Sequence, residues 1–163
     1  MAADPVAALK AACDAAYGKN DKSCSHAVWD VIAACHNPDE PYRQANELVD
    51  HMSANWTTVT LDEAYLLANK GTVVVGGQKK TPNGHVIVVY PGEKADTGGY
   101  EYYYAKLKKN LIMGGRGVKY PLCMSTSMGI WPGARSKGDK TVWDPWANDA
   151  AFKTVGFWTP KAG

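Results

Sequence analysis

The spacing of the apolar residues changes near residue 71, and this change constrains the fold more than any other feature of the sequence. Up to that point apolar residues recur at helical spacing, whereas β-branched and aromatic runs separated by glycine and proline predominate after it. Helices are predicted over residues 5–17, 24–36, 44–53 and 60–69. Because helices come first and strands follow, the sequence predicts an α+β fold with N-terminal helices packed on one side of a mainly antiparallel sheet.

The strands are predicted from β-branched and aromatic runs. Residues 72–75 and 85–90 are predicted to pair as an antiparallel hairpin across a polar loop. Further strands are predicted over residues 98–105, 118–127, 141–143 and 153–158, with loops over 114–117 and 132–139. A chain of 163 residues is long enough for one substantial core, so residues 1–163 are predicted to form a single domain.

The composition argues against several classes of protein. Apolar residues make up 45% of the chain and charged residues 21%, as in globular rather than disordered proteins. The net charge of +2 is too small to indicate nucleic-acid binding, and no apolar run approaches the length that spans a membrane. The N-terminal residues have neither the basic nor the hydrophobic segment of a Sec signal peptide, so none is predicted. The four cysteines do not have the spacing of a zinc ribbon.

Cys24 lies at the start of an amphipathic helical segment, for which Asp21 and Ser23 are the candidate caps. A thiol at a helix N-terminus lies near unpaired N–H groups and the positive end of the helix dipole, and both favour the thiolate. The position therefore predicts a lowered thiol pKa and a nucleophilic cysteine. The alternative is a small buried hydrophobic residue, which is the ordinary role of a free cysteine.

A cysteine nucleophile requires a base, and His85 is the histidine whose position fits that role. It follows Gly84 and begins the most apolar run in the chain, so it is expected at the rim of the sheet, facing whatever lies beside it. His26 is two residues from Cys24 on the same helix and therefore points elsewhere. The two remaining histidines are at predicted helix ends. The alternative for His85 is that it only terminates its strand.

The segments around Cys24 and His85 resemble the motifs of papain-like cysteine peptidases of the NlpC/P60 type. Residues 23–25, Ser-Cys-Ser, are similar to the nucleophile motif of that superfamily, and residues 84–89, Gly-His-Val-Ile-Val-Val, to its Gly-His-Val base motif. More closely, the chain resembles the type VI secretion amidase effectors, with further similarity over residues 44–50, 71–75 and 119–123. Ser23 and His26 depart from the pattern, which has an acidic or amide residue before the cysteine and glycine after Cys-Ser.

The resemblance implies a papain-like NlpC/P60 fold and a catalytic site formed by Cys24, His85 and a third polar residue. By the match over residues 119–123, the third residue is Ser125, and its role would be to fix the tautomer of the imidazole. Ser127 and Cys123 are the competing positions on the same strand. No metal ion and no cofactor are implied.

The resemblance also implies the reaction and its setting. Members of this effector group hydrolyse the bond between D-glutamate and diaminopimelate in peptidoglycan stem peptides, as antibacterial toxins in the periplasm of target bacteria. Expected partners are therefore the stem peptide and a cognate immunity protein, for a monomeric protein that is secreted without a Sec signal peptide and does not insert into membranes. Because the stem peptide is anionic, basic residues near the cleft are candidates for binding it: Lys79, Lys80 and Lys119, and further Arg116, Arg135 and Lys137.

Several alternatives stay open from the sequence. A phage or tail-associated peptidoglycan lysin would use the same chemistry, and a different thiol enzyme would deamidate a protein or transfer an acyl group to it. A papain-like binding module would keep the cleft without activity, and the departures at Ser23 and His26 favour it. Cys13 and Cys35 could form a disulfide in an oxidising compartment. The six tryptophans are expected in the core or at its rim rather than as a stacking platform.

Overall fold

The computed structural model describes residues 4–161, and in that part of the chain it is an α+β fold with a mainly antiparallel sheet, as predicted. The helices are α1 Pro5–Lys19, α2 Cys24–Cys35, α3 Ala45–Asn55, α4 Leu61–Ala68 and α5 Asp149–Phe152, with a 3-10 helix at Pro132–Ala134. The strands are β1 Thr57–Thr58, β2 Val75–Gln78, β3 His85–Asp96, β4 Glu101–Tyr104, β5 Lys109–Ile112, β6 Lys119–Ser125, β7 Ser136–Thr141 and β8 Gly156–Thr159.

The helix starts follow from local chemistry. Asp4 caps α1 by accepting a hydrogen bond of 3.0 Å from the backbone N–H of Val6, and Pro5 occupies the first helical position. Thr60 and Glu63 form a capping box at the start of α4, each side chain accepting from the other's backbone N–H. These interactions confirm the predicted starts of both helices.

Six strands form one sheet in the order β1-β8-β2-β3-β6-β7, with every neighbouring pair antiparallel. The hairpin of β2 and β3 is present, with Gln78 opposite His85. However, β2 includes Gly76 and Gly77, which were predicted to lie in the loop. A Cβ on Gly76 would come within 2.8 Å of the Phe157 ring, so glycine lets neighbouring side chains pack directly on the strand.

Helices cover both faces of the sheet, in contrast to the one-sided arrangement expected from the sequence. Along β3, Val86 and Val88 belong to the core formed with α1, α2 and α3. Ile87 and Val89 point to the other face and belong to a second core, which includes α4 and is flanked by Phe152 of α5. An uninterrupted apolar run such as residues 86–89 requires cover on both faces, and this is the reason for the difference.

Two other strands differ from the prediction. Residues 136–141 form β7, although residues 132–139 were predicted to be a loop; the pairing of β6 with β7 is irregular around Gly138, whose φ of +98° suits glycine. The chain also continues β3 past Pro91 to Asp96, with irregular pairing to β6 between Tyr90 and Ala95. The strand predicted over residues 98–105, which is rich in tyrosine, is present as β4 and pairs with β5 in a separate hairpin.

No helix in the described range 4–161 has the length and apolar character needed to cross a membrane. Residues 1–3, on which the expectation of no Sec signal peptide partly rests, lie outside the described residues, as do residues 162–163 at the end of the predicted domain.

Candidate active site

The start of α2 positions Cys24. Ser23 is the N-cap of the helix: its hydroxyl accepts from the backbone N–H of His26 at 3.3 Å and lies 2.7 Å from Nδ1 of the same histidine. The imidazole of His26 is stacked on the ring of Tyr42 at a centroid distance of 4.1 Å. The two departures from the superfamily pattern, Ser23 and His26, therefore contact each other, and Ser23 performs the capping role for which an acidic or amide residue is equally suited.

The thiol of Cys24 is partly exposed, and its pKa is raised by burial above the ordinary value. Hydrogen bonds from the backbone N–H groups of Val86, Ser25 and Cys24 itself lower the pKa, but less than burial raises it. The expectation that the helix start alone lowers this pKa was wrong, because it considered the helix dipole without the desolvation of the sulfur. The thiol is neutral at pH 7 unless a base removes its proton.

The loop before His85 is held in place by α3. The side-chain amide of Asn46 donates to the carbonyl of Lys80 at 3.0 Å and accepts from the N–H of Lys80 at 3.1 Å. Gly84 lies so close to the side chain of Asn46 that a Cβ would collide with its Oδ1 and with the carbonyl oxygen of Gln78. Glycine is therefore needed directly before His85 for steric reasons.

Ser125, at the end of β6, fixes the tautomer of His85. Nε2 of His85 lies 2.8 Å from Oγ of Ser125, and this hydroxyl donates its proton to the carbonyl oxygen of Ala134 at 2.7 Å. A hydroxyl has one proton to donate, so Oγ must accept a hydrogen bond from Nε2–H. The neutral imidazole thus has its proton on Nε2 and a free lone pair on Nδ1, the nitrogen that a base needs.

The surroundings of His85 keep the imidazole neutral. Burial lowers the pKa of His85 to about 4, because the protonated ring would lose hydration and gains no carboxylate partner from Ser125. The ring of Trp146 lies edge-on against the imidazole, at a centroid distance of 5.5 Å and an angle of 72°. A neutral imidazole in the same groove as a neutral thiol is suited to general-base activation of the sulfur.

A groove with two lobes passes over the start of β3, and His85 lines both lobes. The thiol lobe, about 340 Å³, contains Cys24 and Tyr42 with the starts of α2 and α3. The tryptophan lobe, also about 340 Å³, contains Trp131 and Trp146. Three further residues line both lobes: Asn83, Gly84 and Ser127. Within residues 4–161 the imidazole bonds to Ser125 through Nε2, and Nδ1 is left without a hydrogen bond in the groove that also holds the thiol.

The structure brings Cys24 and His85 to one groove, and Ser125, which is buried and lines neither lobe, bonds to His85. Of the competing third residues, Ser127 lines the groove without bonding to the imidazole, and its hydroxyl accepts from the N–H of Gly129. Cys123 is fully buried in the second core, where its thiol donates to the carbonyl of Thr141 at 3.4 Å.

The predicted basic residues do not all lie in the groove. Lys80 lines the tryptophan lobe. Lys79 instead pairs with Asp50 at 2.8 Å and is absent from the lining of both lobes, because successive side chains at the end of β2 point in different directions. Lys119 is opposite Asp96 in the sheet, at the end of β6 remote from the site, so the structure does not bring it to the groove either.

Sequence reasoning missed several residues of the groove. Tyr42 lies in a loop between two helices, and no local pattern marks it; its hydroxyl is 2.6 Å from Oγ of Ser25. Gln78 could have been found only from the register of the hairpin, which places it opposite His85. Trp131 and Trp146 were assigned to the core or its rim, yet both line the groove.

No cluster of three or more histidine, cysteine, aspartate or glutamate side chains suited to a metal ion occurs between residues 4 and 161. All four cysteines, including Cys13 and Cys35, are free thiols. In comparisons with known proteins, no family model matches this chain, and no curated protein matches it significantly. The functional assignment therefore depends on the groove itself and on the sequence resemblance.

Proposed function

We propose that this protein is a papain-like cysteine amidase of the NlpC/P60 type that hydrolyses peptidoglycan stem peptides between D-glutamate and diaminopimelate. It acts as an antibacterial effector in the periplasm of target bacteria, and a cognate immunity protein protects the producer. The arrangement of the groove supports the chemistry, and the motifs around Cys24 and His85 support the choice of substrate and setting.

One observation carries the proposal: the hydrogen-bond chain from His85 through Ser125 to the carbonyl of Ala134. It holds the proton on Nε2 and leaves Nδ1 as the proton acceptor in the groove that contains the Cys24 thiol. A histidine that only terminated its strand would not need this orientation. The orientation is the one that a cysteine amidase requires of its base.

In the first half of the reaction, Nδ1 of His85 takes the thiol proton while the sulfur attacks the carbonyl carbon of the scissile amide. The tetrahedral intermediate then collapses: the C–N bond breaks, Nδ1–H gives its proton to the leaving nitrogen, and the amine departs. In the second half, His85 removes a proton from water, which attacks the thioester carbonyl. The C–S bond breaks, the sulfur receives the proton held by Nδ1, and the acyl product leaves as a carboxylic acid that ionises in water.

The developing oxyanion is stabilised by backbone donors at the start of α2. The backbone groups of Cys24 and Ser25, together with that of Val86 on β3, lower the pKa of the thiol, which is the effect of N–H donors near the sulfur. When the sulfur becomes bonded to the carbonyl carbon, the oxyanion forms next to these donors. Backbone N–H groups at a helix start are already oriented, so they stabilise the intermediate without a reorganisation of the site.

The test is digestion of purified peptidoglycan, with the fragments identified by mass spectrometry. We expect Cys24→Ala and His85→Ala each to release no detectable stem-peptide fragments. Matched controls are Cys35→Ala, a second thiol on α2, and His36→Ala, an exposed histidine just after that helix; both should retain activity. Near-wild-type release by either Cys24→Ala or His85→Ala would show that the pair is misassigned.

A second candidate is a binding module with the same cleft and no activity. It is favoured by the raised pKa of Cys24 and the lowered pKa of His85, since neither group is charged at pH 7. Alkylation with iodoacetamide separates the two candidates. In the amidase, Cys24 reacts faster than the other thiols and His85→Ala removes the difference, whereas in a binding module all exposed thiols react at similar slow rates.

A further inference from the structure

Asp144, just after β7, has a buried carboxylate that the proposed mechanism does not use. It is 1% exposed, and each of its two oxygens accepts two hydrogen bonds. Oδ1 accepts from the backbone N–H of Gly98 at 3.0 Å and from the hydroxyl of Tyr100 at 2.9 Å. Oδ2 accepts from the backbone N–H and the hydroxyl of Thr141, at 2.8 and 2.9 Å. These donors replace the hydration that burial removes, and through them the carboxylate joins the end of β7 to the segment that leads into β4.

Asp144 also holds the 3-10 turn that ends the hydrogen-bond chain of the imidazole. Its backbone carbonyl accepts from the indole N–H of Trp131 at 2.8 Å, directly before the 3-10 turn Pro132–Ala134. Gly133 lies against this contact, and a Cβ there would collide with the carbonyl oxygen of Asp144 and with the hydroxyl of Tyr100. The atoms that surround the carboxylate therefore set the position of the 3-10 turn.

We propose that Asp144 is a positioning residue of the candidate active site, which acts through the 3-10 turn and Ser125 to select the tautomer of His85. The carbonyl of Ala134 takes the single proton of the Ser125 hydroxyl, and Oγ is left to accept from Nε2–H of the imidazole. If the 3-10 turn shifts, the hydroxyl is free to donate to Nε2. The neutral imidazole then carries its proton on Nδ1, the nitrogen that should receive the thiol proton. The expected effect on catalysis rests on the proposed function, whereas the effect on the tautomer does not.

Two substitutions disturb the 3-10 turn from different sides. In Asp144→Asn, the NH2 group of the carboxamide can only donate, so it must face the backbone N–H of either Gly98 or Thr141. A hydroxyl can reverse and accept, but a backbone N–H cannot, so one N–H loses its acceptor and the segment that carries it moves. Gly133→Ala instead adds a methyl group that collides with the carbonyl oxygen of Asp144.

The first measurement is the tautomer of His85, by long-range 1H–15N NMR at pH 7 in the full chain with Cys24→Ala. Because burial lowers the pKa of His85 to about 4, the ring is neutral at pH 7 and the spectrum reports the tautomer alone. We expect a single Nε2–H form in this parent, and a mixture with the Nδ1–H form when Asp144→Asn or Gly133→Ala is added. Asp139→Asn, the same charge change at an exposed position of β7, should keep the single form.

The second measurement separates positioning from a loss of stability. With Cys24 present, Asp144→Asn should lower kcat for a soluble stem peptide about fivefold while KM changes little. In the Ser125→Ala background it should have no further effect, because both substitutions act on the same proton. Val74→Ala, which truncates a side chain in the second core, should lower the melting temperature and keep kcat.

A single Nε2–H form in both Asp144→Asn and Gly133→Ala would overturn the positioning role, and so would an Nδ1–H form in the parent. Equal losses of kcat by Asp144→Asn in the wild-type and Ser125→Ala backgrounds would also overturn it. If one of the two variants does not fold, the other decides. Absence of any Cys24-dependent cleavage would instead overturn the proposed function. The tautomer then decides on Asp144 alone: a mixture in the variants supports the role, and a single form in them overturns it.

Discussion

The hydrogen bonds around His85, on the imidazole side of the groove, and those around Cys24, on the thiol side, differ in the sequence separation of the residues that they join. His85 and Ser125 are separated by 40 positions and are joined through adjacent strands of the central sheet. On the thiol side, Ser23 and His26 bond within one turn of a helix, at its exposed start. The proposed base is thus held by the core of the fold, whereas the proposed nucleophile is held mainly by local geometry.

This difference means that the two sides respond differently to substitution. Ser125 is 1% exposed, so its hydrogen bonds have no water to replace them. Tyr42, which packs on His26 and bonds to Ser25, is 37% exposed and can exchange its hydroxyl contact for water. Truncations on the imidazole side should therefore affect the chemical step, and truncations on the thiol side should mainly affect binding.

The largest effect is expected for Ser125→Ala. The variant leaves Nε2–H of His85 without its acceptor, which costs roughly 1–3 kcal/mol for a buried donor and lets the ring adopt the wrong tautomer. We expect kcat to fall by about tenfold to hundredfold while KM changes little. The measurement is steady-state hydrolysis of a soluble stem peptide by the folded variant.

Cys123→Ala is the matched control, since Cys123 was the competing third residue and lies two positions earlier on β6. Its thiol bonds to Thr141 inside the second core, so the variant should lose stability but keep kcat. A loss of kcat in Cys123→Ala that equals the loss in Ser125→Ala would contradict the assigned role of Ser125.

A second prediction concerns the protonation of His85. Because burial lowers its pKa to about 4 from the ordinary 6.5, the imidazole should stay neutral and competent as a base well below pH 6.5. The C–H resonances of His85, followed by NMR in Cys24→Ala to remove coupling to the thiol, should titrate near 4. Titration at or above the ordinary value would show that the ring is better hydrated than the structure indicates.

Ser125→Asp tests the cause of that low pKa. A carboxylate at this position would favour the imidazolium and raise the pKa of His85 by about 1–3 units. In the same titration, Ser127→Asp adds the same charge two residues along the chain, at a position that does not bond to Nε2. A similar shift in both variants would indicate a general effect of charge in the groove rather than a specific contact with Ser125.

The two sides of the groove also differ in how well the sequence predicts them. Cys24 and His85 are recognisable because each follows a local signal, a capped helix start and a Gly-His step into an apolar run. Ser125 was assigned by resemblance. Its partner, the carbonyl of Ala134, depends on a 3-10 turn that follows β6, and no local pattern indicates where that turn returns to the sheet.

The errors in the predicted fold have a similar origin, since they too depend on contacts between residues that are distant in the sequence. The glycines of β2 resemble a turn because the sequence does not show which side chains occupy the space above them; in the structure that space is filled by Phe157, which is 81 positions after Gly76. The second helical layer was missed because the sequence predicts α4 without showing which face of the sheet it covers, and because a short helix such as α5 has little periodicity of its own. Local chemistry determines where elements begin, while contacts between distant residues determine their extent and their neighbours.

The smallest effect is expected for Tyr42→Phe, on the thiol side. The variant removes the hydroxyl that lies 2.6 Å from Oγ of Ser25 and keeps the ring that stacks on His26. A single hydrogen bond at a partly exposed site contributes about 0.7 kcal/mol, so we expect KM to rise about threefold with kcat unchanged. Tyr103→Phe, which removes an exposed hydroxyl on β4, is the control and should leave both constants unchanged. If Tyr42→Phe instead lowered kcat tenfold, the hydroxyl would act on the reacting atoms, and the thiol side would be as closely coupled to the chemistry as the side that holds the base.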